Sequence, residues 1–327
     1  MLAIRRIVDA LATDAIAGVG IDIAGIRDYF APMLPGQVCA VLAQTSHFKS
    51  GFLHCIERLT AERLSADGRD EVLIHVSVEE GIEEQAFLEL SRLSGESAGR
   101  LARGEVQDWS RLEAAAVRVA GIPIFRIGDS LARAEDMPHL YLSNMDKALR
   151  ALASGQVTGR PLTPAALYFD YLQAFPIDPE VRQAVQDQQR RLQVRSDIYR
   201  LRLLAAYFQC PVFVAVQAKQ HLDGAPGRNF LLPGIYDGEE SSSIAQRCDR
   251  IVSLWMPKNT HTLGSLVEHN TMSFRVDENL LWLKVCKQRG GLPSGKVWKC
   301  RIDFERNMIA PEIDRGADLG KLWMEKG

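Results

Sequence analysis

The sequence predicts an α/β fold in which a mostly parallel central sheet carries helices on both faces and antiparallel strands at its C-terminal edge. Up to Arg250, short β-branched runs alternate with longer stretches of helical periodicity, which is typical of a parallel sheet covered on both sides. After Arg250 the apolar runs "RIVSLW", "NLLWLKVCKQ" and "KVWKCRIDF" follow one another closely. Closely spaced strands indicate hairpins, so we expect the last part of the chain to finish one edge of the sheet.

The individual elements follow from these patterns in chain order. Strands are predicted where short apolar runs end in turn residues: "GQVCAVLA", "EVLIHVSV", "GIPIFRI", "AALYFDYLQAF" and "CPVFVAVQ". Helices are predicted where apolar residues recur every three to four positions: "SGFLHCIERLTAERLSA", "IEEQAFLELSRLSG", "MDKALRALASG" and the stretch from Val181 to Gln209. The segment from Gln220 to Glu240 is rich in Gly, Pro and Asp, and loops of this length are often functional or mobile.

The composition excludes some classes of protein. With 46% hydrophobic and 24% charged residues over 327 positions, the chain is typical of a soluble globular protein with a sizeable core. A net charge of -2 argues against a protein that coats nucleic acid through bulk charge, although a local basic channel stays open. The six cysteines form no CxxC pair, so we expect reduced buried thiols and a cytoplasmic location. The seven histidines show no HExxH pattern and no paired metal spacing, so a zinc site has little support.

The first residues, "MLAIRRIVDALATDAIAG", place apolar side chains close to helical spacing. The apolar run is too short to span a membrane, and the cleavage pattern of a signal peptide is missing. We therefore expect a short amphipathic helix. It packs either on its own domain or on a neighbouring subunit.

The stretch "AQTSHFKSGF", from Ala43 to Phe52, joins a predicted strand to a predicted helix. A Lys-Ser pair after a polar loop and before a helix is the P-loop layout, in which backbone N–H groups and the helix N-terminus hold phosphate oxygens. Lys49 would neutralise the terminal phosphates of a nucleotide, and the Ser50 hydroxyl would bind Mg²⁺. Taken alone the pair is weak support, since Lys-Ser pairs are common on surfaces. The candidate nucleotide-binding residues are Ala43, Gln44, Thr45, Ser46, His47, Phe48, Lys49 and Ser50.

Two carboxylates end predicted strands at what should be one edge of the sheet. Asp170 ends "AALYFD", where an acid suits a Mg²⁺ ligand and equally suits a helix cap or a loop. Glu79 ends "EVLIHVSVE", where it either polarises an attacking water or is a solvated acid beside Glu80. Sites in open α/β sheets lie at the carboxyl ends of the strands, which favours a functional role.

Two cations flank Gln288 in "KVCKQRGG", at the end of a predicted strand. Alternation puts Lys287 and Arg289 on one face of that strand, and an arginine in this setting can stabilise the charge of phosphoryl transfer. A solvated edge strand would explain the same residues if the stretch stood alone.

Six stretches of the sequence matter both for their residues and for their order along the chain. They are "AQTSHFKS", "VSVEEGIEEQ", "LYFDYLQ", "CPVFVAVQAKQ", "SSSIAQRCDRIVSLW" and "KVCKQRGG". Together they resemble the C-terminal motor domain of DnaB-type replicative helicases, which has a RecA-like P-loop NTPase fold. The resemblance runs from about Gly20 to about Asp314, and "FDYLQ" and "KQRGG" are its most specific pieces. A RecA-like recombinase or clock-type ATPase shares the fold but explains those two pieces less well.

The resemblance implies roles at the carboxyl edge of the sheet. Lys49 and Ser50 would bind the phosphates of ATP and Mg²⁺, and Asp170 would be the Walker B aspartate. Glu79 would be the catalytic carboxylate. Gln217, at the end of "VFVAVQ", would be the sensor that links the γ-phosphate to the DNA-facing loops.

The resemblance also implies an assembly. Lys287 and Arg289 would reach the nucleotide of the neighbouring subunit, with Arg289 as an arginine finger. Such an arrangement requires a ring or a filament of subunits, and the resemblance implies a homo-hexamer. The expected organisation is a linker or docking helix over residues 1–19, a motor domain over residues 20–314 and a tail over residues 315–327. We find no counterpart of the family's separate N-terminal helical domain, so we expect a motor domain alone, in a mobile element or accessory system.

Two loops depart from the family's pattern. Phe48 stands where the P-loop has glycine, so its phenyl group must point away or the loop must bind nucleotide differently. Ala43, at the loop's first glycine position, is a milder change. In "YDGEESSS", Glu239 aligns with an arginine and Ser242 with a glycine that grip DNA phosphate, and an acid facing a phosphate is unfavourable.

Other cations could replace that grip on single-stranded DNA, or they could be ordinary solvated charges. The leading hypothesis is an ATP-driven motor on single-stranded DNA that works with a loader or other replication partner. The alternative is a non-hydrolysing RecA-fold ring subunit with a structural or regulatory role, which Phe48 and Glu239 favour. The candidate DNA-binding residues are Arg190, Arg191, Arg195, Lys219 and Arg228.

Overall fold

The apolar runs of the sequence form one large sheet. A computed structural model of the chain describes residues 18–128, 142–176, 186–220, 230–238, 242–269, 272–290, 294–304 and 306–312, with the side chains of residues 143 and 186–190 set aside. The expected N-terminal helix and C-terminal tail lie outside these residues, apart from positions 18 and 19. Val19 forms an isolated antiparallel bridge with Met33, beside the domain's first loop.

Eleven strands occur among the described residues, and nine of them form the central sheet in the order β11-β10-β9-β6-β1-β5-β4-β2-β3. The six strands from β6 to β3 are parallel, and β9, β10 and β11 complete the opposite edge as antiparallel neighbours. This confirms the predicted fold class, including the antiparallel edge. The strands are β1 (Val38–Ala43), β2 (Glu71–Ser77), β3 (Ile124–Ile127), β4 (Thr163–Asp170), β5 (Val212–Gln217), β6 (Arg250–Trp255), β7 (Leu266–His269), β8 (Met272–Arg275), β9 (Leu280–Gln288), β10 (Val297–Asp303) and β11 (Met308–Pro311).

Helices connect the parallel strands as the alternating pattern predicts. A short 3₁₀ turn (Leu172–Ala174) follows β4, and another (Pro257–Asn259) follows β6. Where crossovers join parallel strands they lie over the sheet faces, which buries both faces. The described helices are α1 (Lys49–Ala66), α2 (Ile82–Ser94), α3 (Ala98–Ala102), α4 (Trp109–Gly121), α5 (Leu142–Ala153), α6 (Gln186–Phe208) and α7 (Ser243–Arg247).

Alternation along the strands divides the core into two layers. In β1, Val41 packs with the apolar side of α1 on one face, whereas Leu42 packs with α5 and α6 on the other. Every residue of β1, β5 and β6 is buried, as expected for central strands covered on both sides. The carboxyl ends of the parallel strands are thereby held on a rigid platform.

A hairpin of β7 and β8 forms a separate small sheet beside the antiparallel edge, and the sequence patterns do not predict it. Phe230 packs there in edge-to-face contact with Trp255 and Trp282, with ring centroids 5.0 and 5.3 Å away. Aromatic pairs at these separations add to the free energy of area burial.

The cysteines are free thiols, and five of the six are buried. Burial raises the pKa of the Cys210 and Cys248 thiols to about 12, so they stay protonated and act as small apolar side chains. Among the described residues, we find no helix with the length and apolarity needed to cross a bilayer.

Candidate functional site

A cavity of about 550 Å³ opens at the carboxyl edge of the parallel strands. The loop after β1 forms one side, and the segments that follow β2, β4, β5, β6 and β10 complete it. The sheet topology therefore collects residues from six distant parts of the chain. The lining residues are Thr45, Ser46, Phe48, Lys49, Ser50, Gly51, Glu79, Glu80, Glu84, Tyr171, Gln217, Met256, Lys258 and Phe304.

Lys49, the first residue of α1, points back across the loop. Its ammonium group donates to the Gln44 carbonyl at 2.9 Å and to Gln217 Oε1 at 3.0 Å. It also lies 5.7 Å from the ring centre of Tyr171. The side chain is only 8% exposed, so its charge is held at the floor of the cavity where an anionic ligand would meet it.

Phe48 adopts a left-handed backbone conformation, which usually favours glycine. Its φ of 67° and ψ of 28° lie in the left-handed region, and it caps the N-terminus of α1. Its ring turns over Gly51, where an added Cβ would lie 2.4 Å from the ring, and meets Phe304 edge-on at 5.8 Å. The phenyl group therefore forms one wall of the cavity, and a side chain at position 51 would force this ring to move.

Three side chains brace the loop between β1 and α1. His47 Nδ1 accepts from the Met256 N–H at 2.9 Å, and Asn259 donates to the Ser46 carbonyl at 2.6 Å. Gln44 Nε2 donates to the Lys219 carbonyl at 3.1 Å. Of the eight predicted nucleotide-binding residues, Ala43, Gln44 and His47 are buried behind the loop rather than among the cavity-lining residues.

Gln217, at the end of β5, links the loop to the next strand. Its Nε2 donates to Thr45 Oγ1 at 2.6 Å, and its Oε1 accepts from Lys49. Its backbone exchanges hydrogen bonds with the amide of Gln173, at 3.0 and 3.3 Å. A ligand that moved Lys49 would therefore also shift this network, which joins the ends of β4 and β5.

Asp170 ends β4 beneath the cavity and is fully buried. The Ser50 hydroxyl lies close enough to lower the pKa of the Asp170 carboxyl, but burial outweighs it and raises that pKa. No hydrogen bond of normal geometry from a described residue reaches either carboxylate oxygen. A buried carboxylate without donors is costly unless a cation is present, so Asp170 and the Ser50 hydroxyl fit the oxygen donors that Mg²⁺ prefers.

Glu79 follows β2 by two residues and lines the cavity beside these groups. Its backbone N–H donates to Ser77 Oγ at 3.3 Å, which fixes the turn after the strand. Burial and then the charge of Asp170 raise the pKa of its carboxyl, and Lys49 opposes them. Glu79 is therefore close to both residues, as a group that takes a proton from water would need to be.

The structure adds cavity residues that the sequence patterns do not single out. Tyr171, Lys258 and Phe304 come from three loops, and the Lys258 ammonium lies 4.3 Å from the ring centre of Phe304. Lys258 brings a second positive charge to the cavity, and the aromatic rings offer flat apolar surface. Tyr171 lies within "FDYLQ" but has no predicted role there, and no motif marks Lys258 or Phe304. The three residues lie in different connections and become neighbours only through the topology.

Lys287 and Arg289 lie at the other edge of the sheet. Because β9 runs antiparallel to β6, its end pairs with the start of β6, with Gln288 opposite Arg250. Lys287 donates to the Ala245 carbonyl at 2.6 Å. The structure therefore does not bring these two cations to the cavity of their own chain.

Arg289 is paired but accessible. Its Nη1 donates to Asp249 Oδ1 at 3.0 Å, and 44% of its side chain is exposed. Asp249 Oδ2 also accepts from the Val38 N–H at 3.0 Å, so this carboxylate ties the starts of β1 and β6 to the end of β9.

The predicted DNA-binding cations are spread out. Arg191 and Arg195 are exposed on α6, and Lys219 donates to the Tyr236 carbonyl at 3.2 Å. The side chain of Arg190 and all of Arg228 lie outside the described residues, as does Glu239. Nothing in the described part of the chain gathers these cations into one groove.

Comparison with known proteins finds similarity in structure but not in sequence. The chain matches no protein-family model and no curated protein. It does match solved structures, among them a DnaB-like replicative helicase, described with its interactions with primase, and a second structure described as an ATPase domain. Both superpose with a TM-score of 0.68 at 16% identity.

The extent of the match differs between the two structures. The alignment covers 94% of this chain and 65% of the helicase chain, and 95% of this chain and 98% of the ATPase-domain chain. The chain therefore has the fold of a DnaB-type helicase motor domain over nearly its whole length.

Proposed function

We propose that this chain, which has the fold of a DnaB-type helicase motor domain, is an ATP-hydrolysing motor that works as a ring on single-stranded DNA. The observation that carries the proposal is the convergence of Lys49, Ser50, Glu79, Asp170 and Gln217 on one cavity at the carboxyl edge of the sheet. These are the five residue types that nucleotide hydrolysis at such an edge needs, and they arrive from four different strands.

In this proposal the loop after β1 and the start of α1 hold the phosphates through backbone N–H groups, and Lys49 exchanges its contact with the Gln44 carbonyl for phosphate oxygens. Ser50 and Asp170 would hold Mg²⁺, which supplies charge neutralisation at the phosphates when bound. Glu79 takes a proton from the attacking water, whose oxygen bonds to the γ-phosphorus as the bond to the leaving ADP oxygen breaks.

Arg289 completes the site from a neighbouring copy. Its position at the amino edge of the sheet supports action in trans, because it is on the opposite side from the cavity of its own chain. A head-to-tail contact that joins the two edges is heterologous and closes into a ring when its rotation allows. Release of the γ-phosphate would free Lys49 and Gln217, which would pass the change to loops that hold the DNA.

A non-hydrolysing ring subunit is the second candidate, and Phe48 favours it. The residue occupies a left-handed conformation at the phosphate loop, and its ring takes up part of the cavity wall. Nucleotide affinity would then be weak, and the ring would serve as a scaffold.

The test is binding of a fluorescent ATP analogue with Mg²⁺ to wild type and to Lys49→Ala, followed by phosphate release with and without single-stranded DNA. We expect binding that depends on Lys49 and release that DNA stimulates. Glu79→Gln should bind the analogue and fail to release phosphate, which separates loss of chemistry from loss of binding. Wild type that binds nothing would favour the scaffold, and normal hydrolysis in Glu79→Gln would overturn the mechanism.

A further inference from the structure

A buried cluster of metal-ligand side chains lies behind the cavity, between α1 and β2. His54 and Glu57 are one turn apart on α1, and His75 faces them from β2. The three residues are 4%, 1% and 0% exposed, respectively. One ligand atom from each lies within 4.8 Å of the others.

The cluster leaves polar atoms without hydrogen bonds of normal geometry. Neither oxygen of Glu57 and neither ring nitrogen of His75 makes such a bond to a described residue. A buried carboxylate and a buried imidazole in this state cost folding free energy, because neither recovers the hydrogen bonds that it makes to water. Such groups are rare in folded proteins and call for an unseen partner.

The two imidazole rings of the cluster lie close together. The ring centroids of His54 and His75 are 4.8 Å apart, and their planes differ by 9°. A nitrogen of each ring faces the same oxygen of Glu57, Oε2.

We propose that His54, Glu57 and His75 bind a transition-metal ion, with Zn²⁺ as the best fit. His54 Nδ1 and His75 Nδ1 lie 3.6 and 3.3 Å from Glu57 Oε2. Tetrahedral zinc with ligand bonds near 2.0–2.1 Å has ligand atoms about 3.4 Å from one another. Two imidazoles and one carboxylate are a known zinc ligand set, in which water takes the fourth position.

Glu80 supplies the outer contact that such sites require. The other nitrogen of His54 lies 2.9 Å from Glu80 Oε2, so His54 Nδ1 faces Glu57 while Nε2 donates to a carboxylate. Zinc-binding histidines almost always carry this second hydrogen bond, which fixes the ring and raises its basicity. Arg126 lies 3.9 Å from Glu57 Oε2, and its positive charge repels a metal cation and so lowers the affinity of the site.

The ion would join the helix that begins with Lys49 to the strand that leads to Glu79. Glu80 takes part in both places, because it holds His54 and lines the cavity. The site is structural in this proposal, and it does not depend on nucleotide hydrolysis.

The test uses tag-free full-length protein, stripped with a chelator, dialysed and titrated with Zn²⁺ alone, with bound metal measured by mass spectrometry. We expect one zinc per chain, a higher melting temperature with zinc, and binding at least about tenfold weaker in Glu80→Gln, because outer partners are worth that much. Titration with Co²⁺ should give the intense visible absorption of a tetrahedral site.

Three variants decide where the ion binds. His75→Gln should lose the site, whereas His261→Gln, a histidine elsewhere in the fold, should keep it. Asp170→Asn controls for metal at the nucleotide cavity and should also keep it. Wild type without stoichiometric zinc overturns the proposal, and so does equal binding by wild type and His75→Gln; if His75→Gln fails to fold, Glu57→Gln replaces it in the same comparison.

Discussion

Phe48 holds a strained backbone conformation in the loop between β1 and α1. Left-handed residues other than glycine carry a cost of about 1–2 kcal/mol, so the ring contacts with Gly51 and Phe304 must offset it. Phe48→Ala removes the contacts and keeps the strain, whereas Phe48→Gly removes both. We expect the glycine variant to be about 1 kcal/mol more stable than the alanine variant by urea unfolding.

The same two variants measure how the phenyl ring of Phe48 affects the binding of an ATP analogue. Because the ring forms one wall of the cavity, its removal in either variant should change affinity for an ATP analogue. A gain confined to the glycine variant would identify backbone freedom as the limit. Equal stability of the two variants would show that the left-handed geometry costs nothing here.

Asp170 makes stability depend on pH in a direction opposite to that of most acidic residues. Burial raises the pKa of its carboxyl in the folded chain above the ordinary value of 3.8. Between the ordinary pKa and the raised pKa of the folded chain, the folded state holds a proton that the unfolded state has lost. The free energy of unfolding therefore falls as pH rises through this range.

Replacing Asp170 by Asn should remove this contribution. We expect Asp170→Asn to become more stable relative to wild type as pH rises from the ordinary pKa of 3.8. We also expect Mg²⁺ with an ATP analogue to stabilise only wild type. A difference that does not change with pH, measured by urea unfolding at several pH values, would contradict the raised pKa.

At the scale of elements, Asp249 joins three strands through one carboxylate. It accepts from the buried Val38 N–H and from Arg289, and Arg202 lies 3.7 Å away. Asp249→Ala leaves a buried N–H without an acceptor and should cost about 3 kcal/mol. Arg289→Ala should cost about 1 kcal/mol or less, because Arg289 is half-exposed and Arg202 remains.

Urea unfolding of the two variants compares these costs, and Asp249→Asn, which keeps an acceptor for Val38, should lie between them. Equal destabilisation by Asp249→Ala and Arg289→Ala would mean that Arg289 is needed by its own chain. It would then be a poor candidate for action on a neighbour.

The elements show which parts of the fold are readable from sequence. Central strands such as β1 and β5 are continuous apolar runs because both faces are buried, and the pattern predicts them closely. The hairpin of β7 and β8 is missed because each strand has only four residues, too few for an alternating pattern to stand out in the sequence. The predicted helix "MDKALRALASG" begins three residues earlier, at Leu142.

The residues of the cavity also show which features can be predicted from sequence and which cannot. Lys49, Ser50, Glu79 and Asp170 can be singled out from the sequence because strand ends and the loops that follow them meet at one edge of the sheet. Gln217, which ends β5, is singled out only by the family resemblance. Lys258 and Phe304 lie in loops that no local pattern links to that edge. The sequence does not predict the cluster of His54, Glu57 and His75 for a related reason. His54 and Glu57 share a helix turn, but His75 comes close to them only because α1 packs on β2.

For the whole molecule, the separation of Lys49 and Arg289 to opposite edges predicts complementation between defective copies. Lys49→Ala and Arg289→Ala should each be inactive alone. Mixed in equal amounts before assembly, they should recover about a quarter of wild-type phosphate release, since about half the cavities and about half the neighbouring fingers are intact.

The control is a chain that carries both substitutions, which should rescue neither single variant. Recovery well below the expected share would indicate that neighbouring sites must act together. Action of Arg289 on its own cavity predicts no recovery at all, because no single copy in the mixture would have both residues.

The placement of cavity and arginine on opposite edges has a consequence for counting sites. In the proposed ring, when it is closed, each copy would supply its Arg289 to one neighbour and receive one from the other, so the number of complete sites would equal the number of copies. An open arrangement of the same copies has one cavity and one arginine facing solvent, and so has one working site fewer. The rate of phosphate release per subunit would then show whether the ring is closed or has a gap through which a DNA strand can enter.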